Sequence, residues 1–146
     1  MATTQYRWHT VAEVFTQICD GQRPWVAIGN FLNDWWFYAT EHRQELIASA
    51  LPHALNADTQ CWAAFCAAMV EWLCWQEGIP CPSWTAKECY ILSEPWFYYE
   101  KWSRRAKLLA TTPAPFKMRN IFIGDRAFVH KESAAVLTQF VHPSSE

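Results

Sequence analysis

Three groups of residues in this sequence could do chemistry: a histidine with neighbouring glutamates, six cysteines, and basic residues interleaved with aromatic rings. His42 follows Glu41 and precedes Glu45, and side chains three positions apart share one face of a helix. Metal sites in helical bundles need that pattern on several helices, and the sequence does not repeat it. We therefore interpret the His42 group as a solvated helix start and predict no metal ion.

The six cysteines lack the spacing of a metal site or a redox motif. No two of them form a Cys-x-x-Cys pair, and no His-x-x-x-His occurs in the sequence. The amino terminus has no apolar segment of the kind that directs secretion, so we expect reduced thiols and a cytoplasmic protein. Free cysteine is a common small core residue. The six are Cys19, Cys61, Cys66, Cys74, Cys81 and Cys89.

Motifs for nucleotide binding and for nucleophilic catalysis are absent from the sequence. Only four glycines are present, and none of them belongs to a glycine-rich phosphate loop. There is no Gly-x-Ser-x-Gly turn either. No apolar run reaches the length of a membrane span. The sequence thus predicts a protein without enzymatic activity, without a cofactor and without a membrane-spanning segment.

The formal net charge of −2 conceals an uneven distribution along the chain. Residues 1–100 carry a formal charge of −7, and residues 101–131 carry +7. This division favours an acidic partner or a nucleic acid at the basic segment, or pairing of that segment with the chain's own acidic helices. Arginine with interleaved aromatic rings is typical of surfaces that contact phosphates and stack on bases. The basic residues of interest are Arg104, Arg105, Lys107, Lys117 and Arg119.

Aromatic residues are abundant, with ten Trp, nine Phe and five Tyr. A chain of 146 residues can bury a real core, but that many rings exceed what a small core usually hides. We expect some rings at the surface, near Trp96 above all, where an aromatic patch commonly marks a binding site. The alternative is a core of large rings whose polar edges remain in contact with water.

Hydrophobic spacing predicts an all-α fold, a single domain over residues 1–146 with about six helices and at most a short strand near 121–123. The longest helix is predicted from 58 or 59 to about 77 and is apolar all round, as is typical of a central helix. The sequence has no heptad repeat of apolar residues that would predict an oligomer. The other predicted helices cover 11–20 behind a Thr10 capping box, 24–38, 41–50 capped by Thr40, a short one from 85, 100–110, one turn at 116–119, and 125–140.

Three motifs in the second half carry a resemblance to a known family. They are Gly-Ile-Pro-Cys-Pro-Ser-Trp at 78–84, Glu-Pro-Trp-Phe at 94–97, and Thr-Pro-Ala-Pro-Phe-Lys-Met-Arg-Asn-Ile-Phe-Ile-Gly at 112–124. In this order they resemble a family of small, largely uncharacterised bacterial helical proteins, and the resemblance extends over residues 10 to 130. In that family the domain occurs alone or behind a DNA-binding helix-turn-helix region, often encoded beside a nucleotidyltransferase-like protein. The resemblance implies an antitoxin-like or regulatory binding role and assigns no catalytic residue.

This chain departs from the family in having no separate DNA-binding region before the first helix and in its many Trp and Cys residues. We predict a non-enzymatic protein-interaction module whose partner resembles a nucleotidyltransferase; the alternative is a nucleic-acid-binding module that uses the basic segment. Arg119 has two interpretations: it anchors a partner's carboxylate or phosphate, or it is a buried arginine that binds loop carbonyls. The predicted partner-binding residues are Trp84, Trp96, Phe97, Trp102, Arg104, Arg105, Lys107, Phe116 and Arg119.

Overall fold

A single long helix, which the sequence predicts to be apolar all round, lies at the centre of the fold. The computed structural model describes residues 8–98 and 101–124. Within these residues the chain forms six α-helices and two short strands, so the predicted all-α class with a minor strand is confirmed. The elements are α1 (Val11–Cys19), α2 (Pro24–Asn33), α3 (Arg43–Ile47), α4 (Ala57–Glu77), β1 (Trp96–Phe97), α5 (Trp102–Thr111), α6 (Ala114–Lys117) and β2 (Ile121–Phe122). The helix predicted over 125–140 lies outside the described residues.

Helix α4 begins one or two residues earlier than predicted, because its cap is Asn56. The Asn56 side chain accepts a hydrogen bond from the Thr59 amide at 2.9 Å, and the Thr59 hydroxyl accepts one from the Asn56 amide at 3.0 Å. This reciprocal pair satisfies two backbone donors that the first turn would otherwise leave without partners. Every residue from 63 to 70 is at most 2% exposed, and several of them are alanines that let neighbouring helices approach closely. Helix α4 is therefore the central helix, as predicted.

Helix α1 packs against α2 and α4 and follows the predicted capping box. The Glu13 amide donates to the Thr10 hydroxyl at 3.2 Å, and the Thr10 amide donates to the Glu13 carboxylate at 3.3 Å. The apolar face that the sequence predicts is buried against the core; it consists of Val11, Val14, Phe15 and Ile18.

The helix predicted over 41–50 is wrong in its length. Helix α2 first widens into a π-helical turn, Asp34–Tyr38, in which the Ala39 amide donates to the Asp34 carbonyl at 2.8 Å. A 3-10 turn at Thr40–His42 follows, and α3 has only five residues. Thr40 does not cap it, because Thr40 already lies within the 3-10 turn. The Arg43 Nε donates to the Trp35 carbonyl at 2.8 Å and so provides a partner for a carbonyl in the widened turn.

The two strands pair in parallel, with Trp96 beside Ile121 and Phe97 beside Phe122. The extended run predicted at 121–123 is confirmed for Ile121–Phe122, whereas its partner β1 was not predicted. Residues 83–86 and 88–90 form two 3-10 turns where the sequence predicts one short helix. None of the described helices combines the length and the apolar character that a bilayer crossing requires.

The close packing around α4 predicts the effect of a larger side chain there. Ala67 is fully buried, and Ala67→Leu should lower the free energy of unfolding by about 1–3 kcal/mol, because the added atoms have no space to occupy. The matched control is Ala110→Leu on an exposed position of α5, which should change it by less than about 0.5 kcal/mol. Urea unfolding followed by circular dichroism measures both values, and equal values for the two variants would contradict the packing described for α4.

Candidate functional site

The nine predicted partner-binding residues do not lie on one surface, and three of them are part of the interior. Trp84 is 6% exposed, and its indole nitrogen donates to the Ile47 carbonyl at 2.8 Å. Phe116 is fully buried, and its ring centroid lies 5.4 Å from that of Phe65. The third is Arg119, which is 4% exposed. These three side chains stabilise the fold and are not available to a partner on the outer surface.

The Arg119 guanidinium joins three elements of the structure. One terminal nitrogen donates to the Glu71 carboxylate on α4 and to the Pro115 carbonyl in α6, both at 2.8 Å. The other terminal nitrogen donates to the Thr85 carbonyl at 2.7 Å. Of the two interpretations that the sequence left open, this geometry is the one of a buried arginine that binds loop carbonyls. It also places one basic residue of the C-terminal segment in an ion pair with an acidic helix.

Phe97 and Arg105, two of the predicted partner-binding residues, contact each other and form the centre of one cluster. The guanidinium carbon of Arg105 lies 4.5 Å from the centroid of the Phe97 ring, a distance at which a cation and an aromatic ring attract each other. The Phe97 ring also stacks on Phe122 with centroids 4.8 Å apart. Trp96 is half-buried and packs edge-on against Trp62 of α4, with centroids 5.1 Å apart. Strand β1 and helix α5 therefore hold aromatic and basic groups side by side.

Helix α5 exposes further positive charge beside this centre. Arg104 and Lys107 are exposed, as is Lys101 immediately before the helix. Leu109 is also exposed, at 48% of its surface. Trp102 is the first residue of α5, but its side chain lies outside the described part of the structure. Helix α5 is consequently amphipathic, with Leu108 turned to the interior.

Two aromatic residues of this surface were not predicted. The indole nitrogen of Trp25, in the first turn of α2, donates to the Tyr98 hydroxyl at 3.0 Å. The two rings meet edge to face with centroids 5.7 Å apart. They are 73 positions apart in sequence, so no local pattern links them. We call the combined set the aromatic–basic surface; it consists of Trp25, Trp96, Phe97, Tyr98, Arg104, Arg105 and Lys107. Its two parts flank β1, because successive strand residues point to opposite faces: Trp96 and Tyr98 contact Trp62 and Trp25, whereas Phe97 contacts Arg105 of α5.

His42 and His9 each contact an acidic side chain of the same chain. His42 and Glu45 are joined at 2.9 Å, and the Trp8 ring stacks on His42 with centroids 4.0 Å apart. A pair that the sequence did not indicate lies nearby: the fully buried Asp34 carboxylate accepts a hydrogen bond from the His9 amide and lies 2.7 Å from the His9 Nδ1. This contact ties the residues before α1 to the π-helical turn.

Burial changes the chemistry of several cysteines. It raises the pKa of the Cys66 thiol to about 12, with a smaller contribution from Cys19. Burial also raises the pKa values of Cys19 and Cys61. Thiols of this kind stay protonated at neutral pH and are poor metal ligands and nucleophiles. In the described ranges, no group of three or more His, Cys, Asp and Glu side chains is arranged to hold a metal ion.

Comparison with known proteins adds no relative to this picture. No family model, no curated protein and no solved structure matches the chain.

The Arg119 contacts predict a large effect on stability. Arg119→Ala leaves the Glu71 carboxylate and two carbonyls without their donor, and should lower the free energy of unfolding by about 3–5 kcal/mol. The matched control is Arg104→Ala on the exposed face of α5, with an expected change below about 0.5 kcal/mol. Denaturant unfolding measures both. A loss as small as that of the control would contradict the structural role of Arg119.

Proposed function

We propose that this chain is a non-enzymatic, cytoplasmic protein-interaction module of antitoxin-like or regulatory type, which binds a protein partner through the aromatic–basic surface. The observation that carries the proposal is the Arg105 guanidinium 4.5 Å above the Phe97 ring, next to exposed Arg104 and Lys107. Tryptophan, tyrosine and arginine are the residues that most often dominate the free energy of binding at protein interfaces.

The rings of this surface are held in place by contacts within the chain. Trp25 and Tyr98 are joined by a hydrogen bond, Trp96 packs on Trp62, and Phe97 stacks on Phe122. Side chains that are ordered before binding lose less conformational entropy when a partner arrives. Rigid aromatic groups at the surface are thus suited to serve as anchors.

The charge of the surface favours an acidic partner. Helix α5 contributes Arg104, Arg105 and Lys107, and its described residues contain no Asp or Glu. Complementary charge accelerates association and selects among partners. The resemblance stated above suggests the partner's class, a nucleotidyltransferase-like protein encoded beside this chain.

Charge reversal on α5 tests the proposal. A tagged chain is used to capture proteins from the native cytosol after nuclease treatment and washing at moderate salt, and we expect one stoichiometric protein. Arg104→Glu combined with Lys107→Glu should reduce its recovery at least about tenfold, because like charges then meet across the interface. Lys87→Glu, an exposed basic residue in another part of the chain, is the matched control and should retain the partner. Equal recovery with both variants would exclude this surface as the binding site.

A nucleic acid is the second candidate ligand, and the exposed Arg104 and Lys107 of α5 favour it because phosphates pair with basic side chains. Under that alternative, nuclease abolishes the capture, and purified chain binds single-stranded nucleic acid with an affinity that falls steeply as salt rises. Arg104→Ala with Lys107→Ala should then reduce the salt dependence as well as the affinity. A partner that survives nuclease treatment rules out this alternative.

A further inference from the structure

Three parts of the fold enclose a cleft beside Arg119. They are Glu71 of α4, the segment 81–91 with its two 3-10 turns, and the end of α6. The cleft has a volume of about 350 Å³. The Arg119 guanidinium binds all three parts, through the Glu71 carboxylate and the carbonyls of Thr85 and Pro115. These contacts hold the walls of the cleft in place before any ligand binds, which lowers the entropic cost of binding.

Arg119 retains hydrogen-bond donors after these contacts. A guanidinium carries five N–H donors. One terminal nitrogen donates to both Glu71 and Pro115, and the other donates to Thr85. The Nε hydrogen and one terminal hydrogen are left for a further acceptor, and Arg119 is itself one of the residues that line the cleft. A carboxylate is an acceptor whose geometry suits a guanidinium.

The charges that line the cleft favour a ligand with a single negative charge. The lining contains two basic residues, Arg119 and Lys87, and one acidic residue, Glu71, which gives a formal charge of +1. Glu71 and Arg119 lie 2.8 Å apart and so neutralise each other. Lys87 is exposed, and no acidic side chain of the described residues forms an ion pair with it. Its positive charge is therefore the one that a ligand can balance.

Apolar side chains make up much of the remaining lining. Ile91 is 50% exposed and Met118 is 60% exposed, and Pro82 and Ala86 line the cleft with them. Exposed apolar side chains are stabilised when a ligand removes them from water, and the flexible methionine can adapt to the ligand's shape. A volume of about 350 Å³ is at the small end of the range for small-molecule sites and has room for roughly ten non-hydrogen atoms.

We propose that this cleft binds a small aliphatic monocarboxylic acid, with its carboxylate at Arg119 and Lys87 and its alkyl chain over Ile91 and Met118. The two basic residues disfavour an alkylammonium ion, and a second negative charge on the ligand would meet Glu71. None of the residues that line the cleft belongs to the aromatic–basic surface, so this site is separate from the one proposed for the partner.

A methyl NMR titration with octanoate tests the proposal. The folded chain is labelled at its isoleucine and methionine methyl groups, and we expect saturable shifts of the Ile91 and Met118 signals with a Kd of about 1 mM or lower. Octylammonium has the same alkyl chain and the opposite charge, and should bind at least about tenfold more weakly because like charges meet at Lys87. Octanoate without saturable shifts at these methyl groups, or equal affinity for octylammonium, would overturn the proposal.

Variants at exposed positions locate the site, with circular dichroism to establish that each is folded. Lys87→Glu should weaken octanoate binding at least about tenfold, and Met118→Gln about threefold, because the first reverses the charge and the second removes apolar contact. The matched control is Lys117→Glu, an exposed basic residue of α6 that does not line the cleft, with an expected change below about twofold. Equal losses for the Lys87 and Lys117 variants would place octanoate elsewhere and overturn the proposal.

A second ligand distinguishes a free acid from the end of a polypeptide, since both present a carboxylate beside apolar atoms. N-acetyl-alanyl-leucine, which carries a peptide C-terminus, should bind more weakly than octanoate, because its apolar part is shorter. Tighter binding of the peptide than of octanoate would assign the cleft to a polypeptide C-terminus and would contradict the free acid as its ligand.

Discussion

The absence of a polar face on α4 is the constraint on which the rest of the structure depends. A helix whose whole circumference is apolar must be covered on every side, since apolar area left in water costs about 25 cal/mol per Å². Helices α1 and α6 and the 3-10 turns after α4 pack against it. Alanines at 63, 64, 67 and 68 let them approach closely, and the buried side chains of the described residues join in one hydrophobic cluster.

Arg119, Trp84 and Asp34 make polar contacts in the described interior, and each of them holds a segment outside the regular α-helices. Arg119 binds Glu71 and the carbonyls of Pro115 and Thr85, and so attaches the proline-rich second half to α4. Trp84, in the same half of the chain, donates to the Ile47 carbonyl and so attaches that half to α3. At the other end, Asp34 holds the residues before α1. Side-chain hydrogen bonds thereby fix irregular backbone to the helices.

The aromatic residues divide between core and surface even within one element, since α4 carries the fully buried Phe65 and Trp75, which is 56% exposed. Phe65 and Phe116 meet inside, whereas Tyr98 is 39% exposed and Phe97 lies under Arg105 on the outside. The expectation of exposed rings near Trp96 agrees with this arrangement. Both earlier interpretations of the many rings are thus partly realised, because the core takes up some rings and others, such as Tyr38 and Tyr98, are exposed.

Local sequence determined where the main helices form and, for α1 and α4, one of the residues at which each begins or ends. The period of the apolar residues, the Thr10–Glu13 capping box and Gly78 after α4 act over a few residues, so they can be recognised without the fold. Tertiary structure alone decided which predicted site residues are interior, since an arginine on an amphipathic segment has the same local pattern whether it meets water or, as Arg119 does, Glu71 at 48 positions' distance. It also decided the pairing of β1 with β2, the meeting of Trp25 with Tyr98, and the shortening of α3 after the π-helical turn. Each of these depends on contacts between distant residues, and such contacts leave no periodic signal in the chain.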